Sequence, residues 1–277
     1  MRWADLDLLG HINNVVYVDY LQEARVDMLR VHAPDSRADD LAEGVVVVRH
    51  EVSYLSPLTF RFRPVSIESW VTEVRAASFT MAYEVFESSG TDRVVYLRAT
   101  TVLTPYVFGT ERPRRITSEE RAALERFYEE PDRAPVRPAR AAPLDRDRGW
   151  RYPVHVRFSD VDVYGHVNNV KYFEFFQEAR ISLLAEVAAS VPDADAARLV
   201  VAQTDVDYRL PILFRPEPYD CWSRITRVGT TSMTIESEIG DGDRVLSRAT
   251  VVVVWFDVET QRPTQPASAL RAALQAI

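Results

Sequence analysis

Apolar residues stand at Val16, Tyr20, Leu21, Ala24, Met28 and Leu29, the three-and-four spacing of a helix with one face against a core. A polar knot of Gly10, His11, Asn13 and Asn14 runs directly into it, and the Asn side chains can cap the helix by accepting from the free N–H groups of its first turn. Four later stretches, 45–54, 65–75, 79–88 and 93–105, are rich in Val, Thr and aromatic residues and are separated by turn residues such as "SSGTD". They predict strands. A short amphipathic helix is expected near 118–129. One long helix followed by a meander implies an antiparallel sheet curled around that helix.

The whole series then recurs. Arg2–Arg25 aligned with Arg157–Arg180 at an offset of 155 gives 13 identities in 24 positions. "HEVSYLSPLTF" (50–60) matches "TDVDYRLPILF" (204–214), and "DRVVYLRATTVL" (92–103) matches "DRVLSRATVVV" (243–253). A second long helix is expected through Tyr172, Phe173, Phe175, Phe176, Ala179, Leu183 and Leu184, apolar over a wider arc, and a second short one near 268–276. A period of about 150 residues is the size of a domain rather than of a solenoid unit. The expected organisation is therefore a domain over 1–130, a Pro- and Arg-rich linker over 131–149, and a second domain over 150–277. The second copy enters through "WRYPVHVRFSDVD", an alternating first strand, most of which the first copy, starting at "MRWADLD", is expected to lack.

Composition narrows the partners. A formal charge of -8 excludes the basic excess that a nucleic-acid or membrane-surface binder normally carries. The longest apolar runs, such as "TVVVVWF" (250–256), fall well short of the ~20 residues that span a bilayer. Cys221 is the only cysteine, so no internal disulfide forms, no cysteine cluster binds zinc, and a cytoplasmic location is expected. There is no Gly-x-Ser-x-Gly elbow, no Gly-rich phosphate loop and no metal-ligand spacing.

The two motif copies read "DLDLLGHINNVVY" (5–17) and "DVDVYGHVNNVKY" (160–172). Asp-x-Asp-x-x-Gly-His-x-Asn-Asn-x-x-Tyr at the entrance to a long helix resembles the hotdog-fold thioesterases of the 4-hydroxybenzoyl-CoA and acyl-ACP thioesterase type. The resemblance implies an α+β tandem, or double, hotdog, whose halves pair as the subunits of a hotdog dimer would, with sites at the shared interface. Further self-association is left open. The resemblance also implies hydrolysis of acyl-CoA or acyl-ACP in fatty acid metabolism, with no cofactor beyond the CoA or phosphopantetheine of the substrate. At Leu9 and Tyr164 the sequence departs from the plant-type acyl-ACP thioesterases, which carry an Asn there.

By that resemblance Asp7 and Asp162 are the catalytic carboxylates, as general base toward water or as nucleophile forming a mixed anhydride. His11 and His166 orient the carboxylate or contact the thioester. Backbone N–H groups around Gly10, Asn13 and Asn14, and around Gly165, Asn168 and Asn169, supply the oxyanion site at a helix N-terminus. Arg61, Arg63 and Arg215 are candidates for the CoA phosphates, with Arg98 and Arg248 as alternatives. Each residue also has a plainer role: the Asn pairs as caps, the histidines as surface groups, Asp5 and Asp160 as turn formers, and Glu23 with Arg25, and Glu178 with Arg180, as solvated or interfacial helix charge. Two other readings remain, a hydratase or dehydratase on the same fold and a non-catalytic acyl-thioester binding module. Chain length, aryl or alkyl preference, CoA or carrier protein, and whether both halves work are not readable.

Overall fold

The computed structural model describes residues 1–31, 44–131, 143–191, 199–257, 259–260 and 262–276. Two compact units, Met1–Ala139 and Arg140–Ile277, make up the chain. Each is α+β, dominated by antiparallel strands. Most of the expected linker lies outside the described residues.

In the first unit a short 3-10 turn, Trp3–Asp5, leads to helix α1, Val16–Val31. Strands β1 (Val45–Tyr54), β2 (Ser66–Val74), β3 (Phe79–Ser89) and β4 (Asp92–Val107) pair antiparallel in the order β2-β3-β4-β1, with the two-residue β5 (Arg112–Pro113) on β4. Helix α2, Ser118–Glu125, follows, capped by Thr117 and Glu120 reciprocally. Helix α1 packs on β2, turning Val18, Leu21, Met28 and Leu29 inward to join Val71, Met81 and Leu97 in the core.

The second unit repeats this plan and adds a strand. β6 (Trp150–Val154) precedes a 3-10 turn, Phe158–Asp160, and helix α3, Lys171–Ala189. Strands β7 (Leu199–Tyr208), β8 (Tyr219–Val228), β9 (Ser232–Asp241) and β10 (Arg244–Asp257) lie in the order β7-β10-β9-β8-β6, with β11 (Arg262–Pro263) on β10, and helix α4 (Ser268–Ala276) ends the series. Leu183 and Val187 of α3, Leu270 and Leu274 of α4, and Ile225, Ile235, Val253 and Trp255 of the sheet form one buried cluster.

β6 covers the outer edge of β8. Among the described residues the first unit shows no such strand; there the chain beyond α2 returns to the edge of β2, where Val71 donates to the Phe127 carbonyl at 2.8 Å and accepts from the Glu129 N–H at 2.9 Å. Part of an open edge, with its unpaired backbone groups, is thereby closed.

Three β-bulges recur at matching places. Val48, Thr72 and Tyr96 are the extra residues in the first unit; Ala202, Thr226 and Leu246 are theirs in the second. Each adds bend and twist to its strand.

The last residues of the expected linker are docked. Arg146, in a 3-10 turn at Arg146–Arg148, meets Glu238 at 2.7 Å, donates to the Gly242 carbonyl at 2.5 Å and lies 4.2 Å over the Trp222 ring. Gly240 makes this approach open, since a Cβ there would stand 2.7 Å from the Arg146 guanidinium.

Candidate functional site

The knot ahead of each long helix is a miniature hairpin. Leu6 bridges Ile12, the Asp7 N–H donates to the His11 carbonyl at 2.8 Å, and the Gly10 N–H donates to the Asp7 carbonyl at 3.1 Å. This is a three-residue hairpin loop closed by a left-handed residue, an arrangement most often built on a type I turn. Gly10 has φ +76° and Gly165 +78°, so the spacing from Asp to Gly follows from the turn. Val161 bridges Val167 in the second unit, with Asp162 to His166 at 2.8 Å and Gly165 to Asp162 at 3.0 Å.

Asp occupies the first turn position because its carboxylate can accept from N–H groups further round the loop. Asp7 Oδ1 accepts from Leu9 N–H at 2.8 Å and His11 N–H at 3.0 Å, and Asp162 Oδ1 accepts from Tyr164 N–H at 2.9 Å. The second oxygen of each carboxylate makes no hydrogen bond among the described residues. Both aspartates are half-buried. Asp7 and His11 are linked through the backbone, and the His11 imidazole, also half-buried, carries no hydrogen bond among the described residues.

The loop is fixed to the rest of its unit by backbone bonds. Ile12 N–H donates to the Leu58 carbonyl and Val167 N–H to Ile212, both at 2.8 Å; Asn13 N–H donates to Asp5 and Asn168 N–H to Asp160, again at 2.8 Å. The N–H groups of Gly10, His11, Ile12 and Asn13 are therefore all spent, and of Gly10, Asn13 and Asn14, around which the oxyanion donors were expected, Asn14 alone makes no such bond among the described residues. Gly165 and Asn168 are spent likewise.

The Asn side chains cap one step earlier than the motif suggested. Asn13 Oδ1 accepts from Val15 N–H and Asn168 Oδ1 from Val170 N–H, both at 3.3 Å, ahead of the helices that begin at Val16 and Lys171. They close turns leading into the helix; Val170, the residue before α3, has no side-chain cap. Asn169 donates to Asn168 Oδ1 at 3.1 Å.

Asp5 and Asp160 are almost fully buried beneath these loops. Asp5 accepts from Arg2 N–H at 2.6 Å and from the Tyr20 hydroxyl. Burial pushes its carboxyl up, but the Tyr20 and Arg2 bonds outweigh burial and hold it below the ordinary range. Asp160 keeps the arginine, accepting from Arg157 N–H at 2.8 Å, but Phe175 stands where Tyr20 would be. Arg157 instead reaches on to Glu174 at 2.8 Å, and Lys171 meets that same carboxylate.

The arginines expected near phosphates divide. Arg61 pairs with Glu87 at 2.9 Å; Arg215 pairs with Asp241 at 3.0 Å and lies 3.7 Å over the Tyr219 ring. Arg98 is held by Glu84 and Arg248 by Glu238, each at 2.7 Å. Arg63 is exposed and its guanidinium is uncommitted among the described residues.

Two features were missed in the sequence. Tyr54 and Tyr208, at the ends of β1 and β7, donate to the carbonyls of Asn14 and Asn169 at 2.8 and 2.9 Å; their alignment in "VSYLSPL" and "VDYRLPI" was the available signal. Arg25 and Arg180, read as solvated or interfacial, are buried, 6% and 8% exposed.

A sequence profile described as "Thioesterase-like superfamily" matches residues 1–140 and 156–274. The chain belongs to the thioesterase-like superfamily, and its class is that of thioester hydrolases. It is 31% identical over 105 residues to the uncharacterized protein YsmA of Bacillus subtilis, covering 36% of this chain and 68% of that protein. It is 25% identical over 134 residues to the acyl-CoA thioesterase YbgC of Haemophilus influenzae, covering 46% and 95%. The fold is shared with the 12:0-ACP thioesterase of Umbellularia californica, at TM-score 0.70 and 17% identity over 95% of this chain and 92% of that one. An acyl-ACP thioesterase of Bacteroides thetaiotaomicron gives TM-score 0.66 and 16% identity over 91% and 94%. No helix among the described residues is long and apolar enough to cross a membrane.

Proposed function

We propose that this chain hydrolyses acyl thioesters of coenzyme A, or of an acyl carrier protein, to the free acid and thiol. Its domains are tandem hotdogs over 1–130 and 150–277, each long helix being wrapped by the sheet of its own domain. The observation that carries the chemistry is the state of Asp7 and Asp162: one oxygen of each is tied to backbone N–H groups of a rigid turn, and the other is open. A carboxylate held this way loses little freedom on presenting its second oxygen to a reactant.

As general base that oxygen takes a proton from water, the hydroxide adds to the thioester carbonyl, and the departing thiolate takes the proton back. As nucleophile it displaces the thiolate directly, and water then cleaves the mixed anhydride. Either route passes through an oxyanion. The Asn14 N–H, close to the positive end of α1, is the donor proposed in the first unit. Gly10, Asn13, Gly165, Asn168 and Asn169 shape the turns, while His11 and His166 face the thioester. Arg63 is placed to meet CoA phosphates. Similarity to the Haemophilus acyl-CoA thioesterase supports the substrate class.

The test is thiol release from acyl-CoAs of graded length and one aryl-CoA, comparing the native chain with Asp7→Asn, Asp162→Asn and the double variant. Loss in one single variant identifies the working unit; loss shared between them identifies two sites. Undiminished turnover in the double variant would overturn the assignment of the aspartates.

A further inference from the structure

The inward-facing stripe of α1 reads Val18, Leu21, Arg25, Met28, Leu29, an arginine inside an apolar row. Arg25 is 6% exposed, and its Nη1 is fully buried without a hydrogen-bond partner among the described residues. No carboxylate among them pairs with it either. The stripe of α3 keeps an arginine in the same position, Arg180, between Phe176 and Leu183. A buried N–H donor left without an acceptor costs free energy, the more so when it belongs to a charged group. A helix that only had to pack would carry Leu or Met here.

We propose that Arg25 receives a carboxylate at the far end of an aliphatic chain, making it a specificity-determining residue of the site at Asp7. The proposal rests on the thioesterase reading and names a substrate class for it. Arg25 lies nine residues beyond the start of α1, about 14 Å along the axis, and side chains on a helix lean toward its N-terminus. An acyl group whose thioester sits at the turn and whose chain follows the stripe past Leu21 would bring a terminal carboxylate to the guanidinium. A fork of N–H donors matches a carboxylate in two parallel bonds, whereas a methyl terminus would leave the charge unanswered. Two sources supply this chemistry: the ω-carboxyl of a dicarboxylic acyl thioester, as substrate, or a free fatty acid bound head-first, as inhibitor.

The experiment compares ω-carboxyacyl-CoAs with methyl-ended acyl-CoAs of equal length, in the native chain and in Arg25→Met and Arg25→Lys. Binding of the corresponding free dicarboxylic and monocarboxylic acids is measured beside it by calorimetry. The ω-carboxyl series is expected to be favoured by about tenfold or more in kcat/KM, the worth of one charge-assisted bond. That ratio falls to one or below in Arg25→Met and is partly kept in Arg25→Lys. Tight binding of monocarboxylic acids that competes with substrate and is lost in Arg25→Met would assign the fatty-acid source. Should Arg25→Met fail to fold, stabilisation of the native chain against heat by either acid, absent with a neutral alcohol of equal length, supports the proposal. Equal turnover of both series together with no binding of either acid overturns it. Acid binding without any thiol release would leave Arg25 as an anion site and remove the thioesterase reading instead.

Discussion

The Tyr54 hydroxyl donates to the Asn14 carbonyl oxygen at 2.8 Å, and Tyr208 repeats the bond to Asn169 at 2.9 Å. Each ties the last residue of β1 or β7 to the entrance of a long helix, so the sheet sets where the motif loop stands. Tyr54→Phe and Tyr208→Phe are each expected to cost about 1 kcal/mol, measured by urea unfolding. Turnover by the unit concerned should fall in kcat more than it rises in KM, because the loop is mispositioned rather than removed. A stability loss with kinetics unchanged would make the tyrosines purely structural.

Gly10 and Gly165 test the turn separately from the chemistry. A Cβ at either would meet nothing within 4 Å, so the whole cost of Gly→Ala is the left-handed backbone, about 1–2 kcal/mol. Asn tolerates that region better than Ala does, so Gly10→Asn should retain more stability than Gly10→Ala in thermal melts. Equal losses would show that the left-handed backbone is not what the glycine supplies.

Burial pushes the Cys221 thiol up to about 12, with the Ser223 hydroxyl opposing it. Its thiolate is therefore scarce at neutral pH and inaccessible besides. A chromogenic thiol reagent is expected to find no reactive group in the native chain and one per chain after denaturation. Thiol-release assays then read substrate alone; rapid native labelling would contradict the packing around β8.

Glu120 is buried and meets Arg114 at 2.5 Å while capping α2. Burial raises its carboxyl, and the Arg114 bonds, joined by the Thr117 N–H, outweigh this and hold it below the ordinary range. A depressed folded value means stability that is present above the ordinary carboxylate range, about 4.3, and lost as pH falls through the folded value. Glu120→Gln should cost about 2 kcal/mol at pH 7, with the gap to the native chain closing toward acid. A pH-independent gap would show that the cap, not the charge, is what matters.

Much of this molecule is legible in order and little of it in detail. The three-and-four spacing after Val16 and the Val- and Thr-rich runs identify the helices and strands, because burial imposes those periods. The strict Asp-to-Gly spacing points to the loop, since one turn type needs both residues. The solvated reading of Arg25 fails because a pattern treats arginine as surface by default, and only coordinates show that it is buried. Arg146 sits in a stretch whose composition reads as linker, and its anchor, Glu238, is 92 residues away, beyond any local signal. The donor status of Asn14 depends on which neighbouring N–H groups the turn has consumed, and that is a matter of geometry.

The bulges carry a record of history. An extra residue in a strand arises by insertion or deletion, yet Val48, Thr72 and Tyr96 each have a counterpart at the same register in the other unit. Three coincident events in separate lineages are unnecessary if a single-domain ancestor already bore all three. The curvature of the sheet is then older than the doubling of the gene, whereas Tyr20 and Phe175, or Arg93 and Arg146 on their respective glutamates, diverged afterwards.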